Sequence, residues 1–315
     1  MLQIGFIGSD QMAQAYLQAF RRIADVQPVV CFDAAPEAAL EFAKTNQLTA
    51  EREYNSVIDR SDLIYVGNIQ SDLKKAILMA ALESGEKLII CEPPFPFAAG
   101  EAESLIAKAD AKKSRLVIGF TSRFKNPLRQ FRYQWTSGRI GEAVTYWSHI
   151  CEDWNLESLE RYLQEEIDLI RWFGGEITRV FAQGNQIPTA ARPKGALSII
   201  LGLENGMNAS LMLNWDTRLK VVRRGLIGRA GTAILEQKGW SLPERMRFQF
   251  IGLQSEQVMQ FTEADRLDSG ILEMEQVLLG KLIKDDTTVA TLADGLRAAT
   301  IAQQIFQQAF GLADN

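Results

Sequence analysis

MLQIGFIGSDQMAQAYL, residues 1–17, decides how the rest of the chain is read. Leu2, Ile4, Phe6 and Ile7 form an apolar run of strand length. Gly8-Ser9-Asp10 interrupts it, and Met12, Ala13, Tyr16, Leu17 and Phe20 then recur at helical spacing. Strand, glycine turn and helix in that order predict the opening of a βαβ dinucleotide-binding unit. The fingerprint Gly-x-Gly-x-x-Gly falls on Gly8, Asp10 and Ala13. Gly8 retains the tight turn, and Ala13 is small enough for the place where helix meets strand. Asp10 stands where a second glycine would let the backbone approach a pyrophosphate. Its carboxylate repels phosphate and competes for the helix N-terminal amides, so cofactor binding is expected to be weakened. The alternative is that Asp10 or Ser9 is simply the helix N-cap. The residues expected to face the cofactor phosphates are Gly8, Ser9, Asp10, Gln11 and Met12.

Outward from this unit, Gln27 to Phe32 reads as a second strand ending at Asp33, an acid placed to accept adenosine-ribose hydroxyls. Ala34 and Ala35 follow, with no Arg or Lys to receive a 2′-phosphate, so NAD is expected over NADP. Alternatively, Asp33 caps a helix over 36–44. A short helix or turn at 54–58, a strand at 63–66 and a helix at 73–82 with Gly85 as its stop come next. A strand at 87–91 runs into Glu92-Pro93-Pro94-Phe95-Pro96, too proline-rich for anything but a rigid loop. A helix at 99–112 and a strand at 116–120 complete a doubly wound parallel sheet, whose ligands bind at the strands' C-terminal ends.

From Arg123 the texture changes. A helix over 127–137 leads to the turn Gly138-Arg139-Ile140-Gly141. Strands are expected at 143–151, 178–183, 195–203, 207–213, 224–227, 233–236 and 247–253, with Asn205-Gly206 as a hairpin turn. Helices are expected at 159–172, 271–284 and 292–310. The fold class is therefore α/β: an N-terminal Rossmann domain over 1–122, then an α+β domain over 123–315 with a large open, mostly antiparallel sheet. The last helix, 292–310, is expected to pack across the junction.

Of 315 residues, 47% are hydrophobic and 23% charged, with a net charge of −5. That balance argues against nucleic acid and anionic membranes as partners. No apolar run approaches bilayer-spanning length. The opening residues carry no basic region and enter a strand directly, so a cytoplasmic location is expected. Cys31, Cys91 and Cys151 each lie in an apolar stretch and are expected to be buried and reduced. His149 is the only histidine, so no metal site is expected.

The layout resembles the glucose-fructose oxidoreductase, inositol dehydrogenase and rhizopine catabolism (Gfo/Idh/MocA) family over essentially the whole chain. The carriers are GFIGSDQMA at 5–13, CEPP at 91–94, SRF at 122–124, GRIG at 138–141, EEIDLIRWFGG at 165–175 and ADGLRAATIAQQIFQQA at 293–309. The resemblance implies an N-terminal NAD(P)-binding domain, hydride transfer at a carbinol carbon in the interdomain cleft, and an open sheet that forms the oligomer interface. It also implies a Glu-Lys-Pro loop and a His-x-x-Asp helix motif. Here Pro93 stands in place of the lysine, Glu165 in place of the histidine, and Asp168 is retained. Gln70-Ser71 replaces the Pro-Asn pair that lines the nicotinamide. The biliverdin-reductase branch is similar in lacking the lysine.

Glu165 and Asp168, three apart, share one helix face, where paired carboxylates can raise a pKa into a useful range. The competing reading is a solvated acidic face of Glu157, Glu160, Glu165, Glu166 and Asp168. Arg123 can hold an anionic substrate group, or pair with an acid across the domain junction. Lys74 and Lys75 can replace the missing lysine, or are surface charges. His149 shares a strand face with Trp147 and Cys151. Trp147, Leu211, Leu213 and Trp215 are candidates for an apolar open-sheet face joining a homodimer or homotetramer. The expected function is an NAD(P)-dependent oxidoreductase acting on a small polar or carbonyl substrate. Catalytic candidates are Glu165, Asp168 and Arg123; cofactor-facing candidates also include Asp33, Gln70, Ser71, Glu92 and Pro93. The alternative is an inactive ligand-binding or regulatory protein with the same two-domain shell.

Overall fold

A computed structural model describes residues 1–97, 99–152, 156–185, 195–215, 221–238, 244–263, 268–281 and 288–311. The chain divides into two compact units. One comprises Met1–Phe124 and Leu267–Thr300; the other comprises Lys125–Arg266 and Ile301–Asn315.

The first unit alternates strands and helices: β1 (Leu2–Ile7), α1 (Gln11–Phe20), β2 (Val26–Phe32), α2 (Pro36–Asn46), β3 (Thr49–Ala50), α3 (Tyr54–Asp59), β4 (Leu63–Val66), α4 (Ser71–Ser84), β5 (Leu88–Cys91), α5 (Ala102–Ala111) and β6 (Arg115–Ile118). These strands lie in the order β3-β2-β1-β4-β5-β6, all parallel, and Ala290–Thr291 adds an antiparallel edge on β6. The order reverses between β1 and β4, which is where doubly wound sheets open a crevice for ligands. β4 and β5, LIYV and LIIC, are apolar at every position because helices cover both faces. A turn of 3-10 helix, Ala99–Glu101, precedes α5, so the helix expected from 99 starts in tighter form.

The second unit holds α6 (Asn126–Thr136), β7 (Ala143–Cys151), α7 (Leu156–Gly174), β8 (Ile177–Gly184), β9 (Ala196–Leu203), β10 (Asn208–Asn214), β11 (Val221–Gly228), β12 (Gly231–Lys238), β13 (Glu244–Gly252) and β14 (Glu256–Glu263). Its eight strands run β14-β13-β12-β11-β7-β10-β9-β8. Every pairing is antiparallel except β7 with β10. Gly206, with φ +85°, closes the β9–β10 hairpin as the Asn-Gly signal predicts. β14 has no counterpart in the sequence reading, since EQVMQFTE is polar enough to pass for loop.

Alternation in this sheet separates two faces. Tyr146, Ser148 and Ile150 of β7 are buried, as are Ala209, Leu211 and Leu213 of β10. The opposite face presents His149, Met212, Phe181, Ile200, Ile227, Ile251 and Val258, all exposed, with Trp147 half-buried. One register row crosses all the strands: Phe181, Ile200, Ser210, Trp147, Gly225, Ile234, Gln249 and Val258. Leu211, Leu213 and Trp215 therefore belong to the core rather than to the open face. Only Trp147 of the expected set lies on it, because the odd-numbered residues of β7 and the even-numbered ones of β10 point outward. The same parity places Cys151 on the open face, half-buried rather than enclosed.

Two helices end the chain, α8 (Asp268–Leu278) and α9 (Leu292–Phe310). α8 stops at 278, well short of 284, and Gly280 follows with φ +67°; residues 282–287 lie outside the described residues. Ile271, Met274 and Leu278 pack with Tyr16, Leu17 and Phe20 of α1 in one buried cluster. The segment 267–300 therefore groups with the first unit, although its sequence position follows the second sheet. Thr291 and Asp294 cap the start of α9 reciprocally: the Asp294 N–H donates to Thr291 Oγ1 at 3.2 Å, and Thr291 N–H and Oγ1 donate to Asp294 Oδ2 at 2.9 and 3.0 Å. At the other end, Gln308 accepts from Ala182 N–H at 3.1 Å and donates to Val180 O at 3.1 Å. Its amide thereby pairs with the edge strand β8.

Candidate functional site

In the first unit, the ends of β1, β4 and β5 gather three short segments on one edge of the sheet. Gly8 takes φ +96°, a left-handed conformation, and a Cβ there would come within 3.3 Å of Ile69 Cγ2. Asp10 is the N-cap of α1: its Oδ1 accepts the Ala13 N–H at 2.8 Å. The N–H groups of Gln11 and Met12, at the first two positions of α1, have no intrahelical partner and point out of its N-terminus. Ser9 Oγ donates to Asp33 Oδ2 at 2.6 Å, and the Ala35 N–H donates to Asp33 Oδ1 at 2.9 Å. The turn after β1 and the end of β2 are thus brought together. Ala35, without a side-chain cap, is the N-cap of α2, so Asp33 braces that entry from two residues upstream.

Gln70 is the N-cap residue of α4 and spends no side-chain hydrogen bond on capping; Ser71, the first helical residue, is exposed. One turn further, Lys74 is 1% exposed. Its Nζ donates to Glu92 O at 3.0 Å and to Pro94 O at 3.2 Å. This buried ammonium ties α4 to the Glu92-Pro93-Pro94 loop, in which the Pro93–Pro94 bond is cis. Lys74 is therefore not a surface charge. It falls on the α4 stripe Lys74, Ile77, Leu78, Ala81 and Leu82, all buried, and that periodicity was the available signal. Lys75 stays near the surface, with Glu101 at 2.7 Å and the Phe97 ring 5.3 Å away.

Glu92 is buried against Tyr16 of α1. A Cβ at Gly119 would come within 2.0 Å of Glu92 Oε1 and 2.9 Å of the Tyr16 hydroxyl, so only glycine admits this pair. Burial, and then the Glu92 charge, hold the Tyr16 hydroxyl well above the usual phenol range. Burial likewise pushes the Cys91 thiol up to about 12 and Cys31 up to about 11. Arg123 is buried with Asp294 at 3.5 Å. The pairing expectation holds, but the acid belongs to the same unit rather than lying across a junction.

In the second unit, α7 carries the remaining candidates. Glu165 is half-exposed, whereas Asp168 is 0% and Glu166 1% exposed. The acidic residues of α7 are thus not one solvated face. Glu166 falls on the apolar stripe Leu159, Leu163, Ile167, Ile170 and Phe173. Arg224 of β11 meets it in a forked pair, Nε at 3.2 and 3.1 Å and Nη2 at 2.7 Å. The Tyr146 hydroxyl donates to Glu166 Oε1, and Arg224 Nη2 donates to the Tyr162 hydroxyl at 2.9 Å. Although burial works against the charged form, Glu166 keeps the Arg224 guanidinium firmly protonated. Burial raises the Tyr146 hydroxyl, and the Glu166 charge adds to it. The sequence reading counted Glu166 in a solvated acidic face and did not single out Arg224, since nothing local announces a cross-sheet partner.

Among the described residues, no three of His, Cys, Asp and Glu gather to hold a metal ion, and no helix is long and apolar enough to cross a membrane.

Residues 2–120 match the model of the Gfo/Idh/MocA family, described as an oxidoreductase family with an NAD-binding Rossmann fold. A comparison with curated proteins finds no match. Among solved structures, the chain is similar to an oxidoreductase from Agrobacterium radiobacter in complex with NAD+, L-tartaric acid and magnesium, with 15% identity, 99% of this chain and 97% of that chain covered, and a TM-score of 0.81. It is also similar to a biliverdin reductase from Synechocystis in complex with biliverdin and NADP+, with 20% identity, 98% and 99% coverage and a TM-score of 0.79. A UDP-N-acetylglucosamine 3-dehydrogenase from Acidithiobacillus ferrooxidans gives 17% identity, 98% coverage of each chain and a TM-score of 0.79. These likenesses establish the fold over nearly the whole length, a Rossmann unit followed by a unit with a large open sheet.

Proposed function

We propose that this chain is an NAD(P)-dependent oxidoreductase of the Gfo/Idh/MocA type, with a substituted set of catalytic groups and a small polar or carbonyl substrate. The observation that carries the reading is the edge where β1, β4 and β5 end. There the outward N–H groups of Gln11 and Met12 and the left-handed Gly8 form a cradle that a Cβ would fill. That cradle suits a pyrophosphate. Asp33 keeps lone pairs for the ribose hydroxyls beside Ser9 and Ala35, and its charge opposes a 2′-phosphate, so NAD is favoured over NADP.

The nicotinamide, when bound, supplies or accepts the hydride. The chain's part is to orient and to move a proton. Gln70, Ser71 and the Glu92–Pro93 loop, which Lys74 anchors, wall the nicotinamide side. Pro93 offers neither charge nor donor. Arg123 and Asp168 are buried, so Glu165 is the one of the three catalytic candidates that is not enclosed. Glu165 is assigned the proton transfer and Asp168 the bracing of α7 beneath it. A homodimer or homotetramer through the open sheet fits the exposed Phe181, Ile200 and Val258. A non-catalytic ligand-binding role is favoured only by the missing proton donor at Pro93.

Calorimetric titration with NADH and NADPH tests the cofactor half. Saturable micromolar binding, tighter for NADH, is expected; no binding of either at millimolar concentration overturns it. For the chemical half, Glu165→Gln should lower kcat on a found substrate while leaving NADH affinity unchanged. Retention of full kcat removes Glu165 from its role.

A further inference from the structure

We infer that the open face of the eight-stranded sheet carries a binding site for a soft monovalent metal ion, Cu(I), built from Cys151, His149 and Met212. Cys151 and His149 lie two apart on β7 and point to the same side. Cys151 Sγ stands 3.6 Å from His149 Nε2. A closed-shell ion bound to a thiolate at about 2.3 Å and an imidazole at about 2.0 Å holds those two atoms about 3.5 Å apart at a tetrahedral angle. The separation present is therefore the bite of a metal chelate without rearrangement of the strand.

The third donor decides which metal. Among the described residues, no third His, Cys, Asp or Glu completes a group with this pair, so a closed zinc site of thiolates and imidazoles is not built. Met212 pairs in register with His149 on the neighbouring parallel strand β10, and its side chain is exposed on the same face. A thioether is a soft ligand that zinc rarely takes and Cu(I) accepts readily. Thiolate, imidazole and thioether around one monovalent cation also leave the site neutral.

Asn214, opposite Cys151 in the ladder, supplies the remaining polar contact: its Nδ2 lies 3.2 Å from His149 Nε2 and 4.0 Å from Cys151 Sγ. The Asn214 amide and the Cys151 sulfur thus converge on the same imidazole nitrogen. Loading exchanges these contacts for bonds from Sγ and Nε2 to the ion and releases the thiol proton.

The two other cysteines do not compete, because both are buried. Anaerobic competition of the full chain against bicinchoninate for Cu(I) tests the site. Withdrawal of one equivalent per chain is expected, with loss in Cys151→Ser and weakening of at least about tenfold in His149→Gln and Met212→Leu. The last two side chains are exposed, so these variants should keep the fold; circular dichroism checks it. Copper binding indifferent to His149 and Met212 would be that of a surface thiol alone and would overturn the proposal. So would no withdrawal of Cu(I), or tighter retention of Zn(II) that Met212→Leu leaves untouched.

Discussion

Asp10 accepts the Ala13 N–H through Oδ1 at 2.8 Å, which places its carboxylate on the third amide of α1 and leaves the first two. The acid is therefore a cap that still exerts charge at the phosphate cradle. Replacement by glycine, itself a tolerated cap, removes the charge at little cost to the helix. Asp10→Gly should tighten NADH binding by roughly threefold or more, the effect of one unit charge about 6 Å away in a water-like medium. Fluorescence titration checks this; unchanged affinity would show the carboxylate to be a cap only.

Lys74 should matter to folding more than its position in a helix suggests. Lys74→Met keeps the stem but leaves the carbonyls of Glu92 and Pro94 without their donor. Stability should fall by roughly 1–3 kcal/mol, the cost of stranding the buried Glu92 carbonyl beside the half-buried one of Pro94. Urea denaturation measures it, and NADH affinity should drop alongside as the loop loosens. A stable variant with a normal midpoint would relegate the lysine to filler.

The Arg224–Glu166 pair lends itself to a double-mutant cycle. Arg224→Met should cost roughly 3–5 kcal/mol, because Glu166 is left buried with a charge and only Tyr146 for company. Adding Glu166→Met should recover much of that loss. If the double variant is as unstable as the sum of the singles, the two side chains are not acting as a pair.

Alkali should unfold this protein through its buried thiols. Cys91 sits near 12 in the folded chain against an ordinary value of 9.0, and Cys31 near 11. The folded state keeps these protons while the unfolded chain sheds them. Stability is therefore complete below pH 9 and declines as pH rises towards 12. Chemical denaturation at stepped pH should show this slope, and Cys91→Ala should flatten it. At pH 8, a thiol reagent should modify Cys151 in the native protein and reach the other two only after unfolding.

The opening strand, glycine turn and helix were legible because their signal is local, as was the alternation that builds the second sheet. What local reading missed depends on distant partners. Lys74 and Glu166 each occupy an apolar stripe, a conflict visible in the sequence and resolved by carbonyls or a guanidinium far along the chain. Parity misled at Leu211, Leu213 and Trp215, since alternation fixes which residues share a face but not which face meets the core. The return of 267–300 to the first unit is a matter of α8 covering α1, and neither helix declares its companion.

The amide of Gln308 lies along the border of β8, occupying the Ala182 N–H and the Val180 carbonyl. That border would otherwise recruit any passing extended peptide. A chain clipped behind Thr300 loses this guard, and its expected fate in concentrated solution is end-to-end growth into fibrils rather than simple loss of shape.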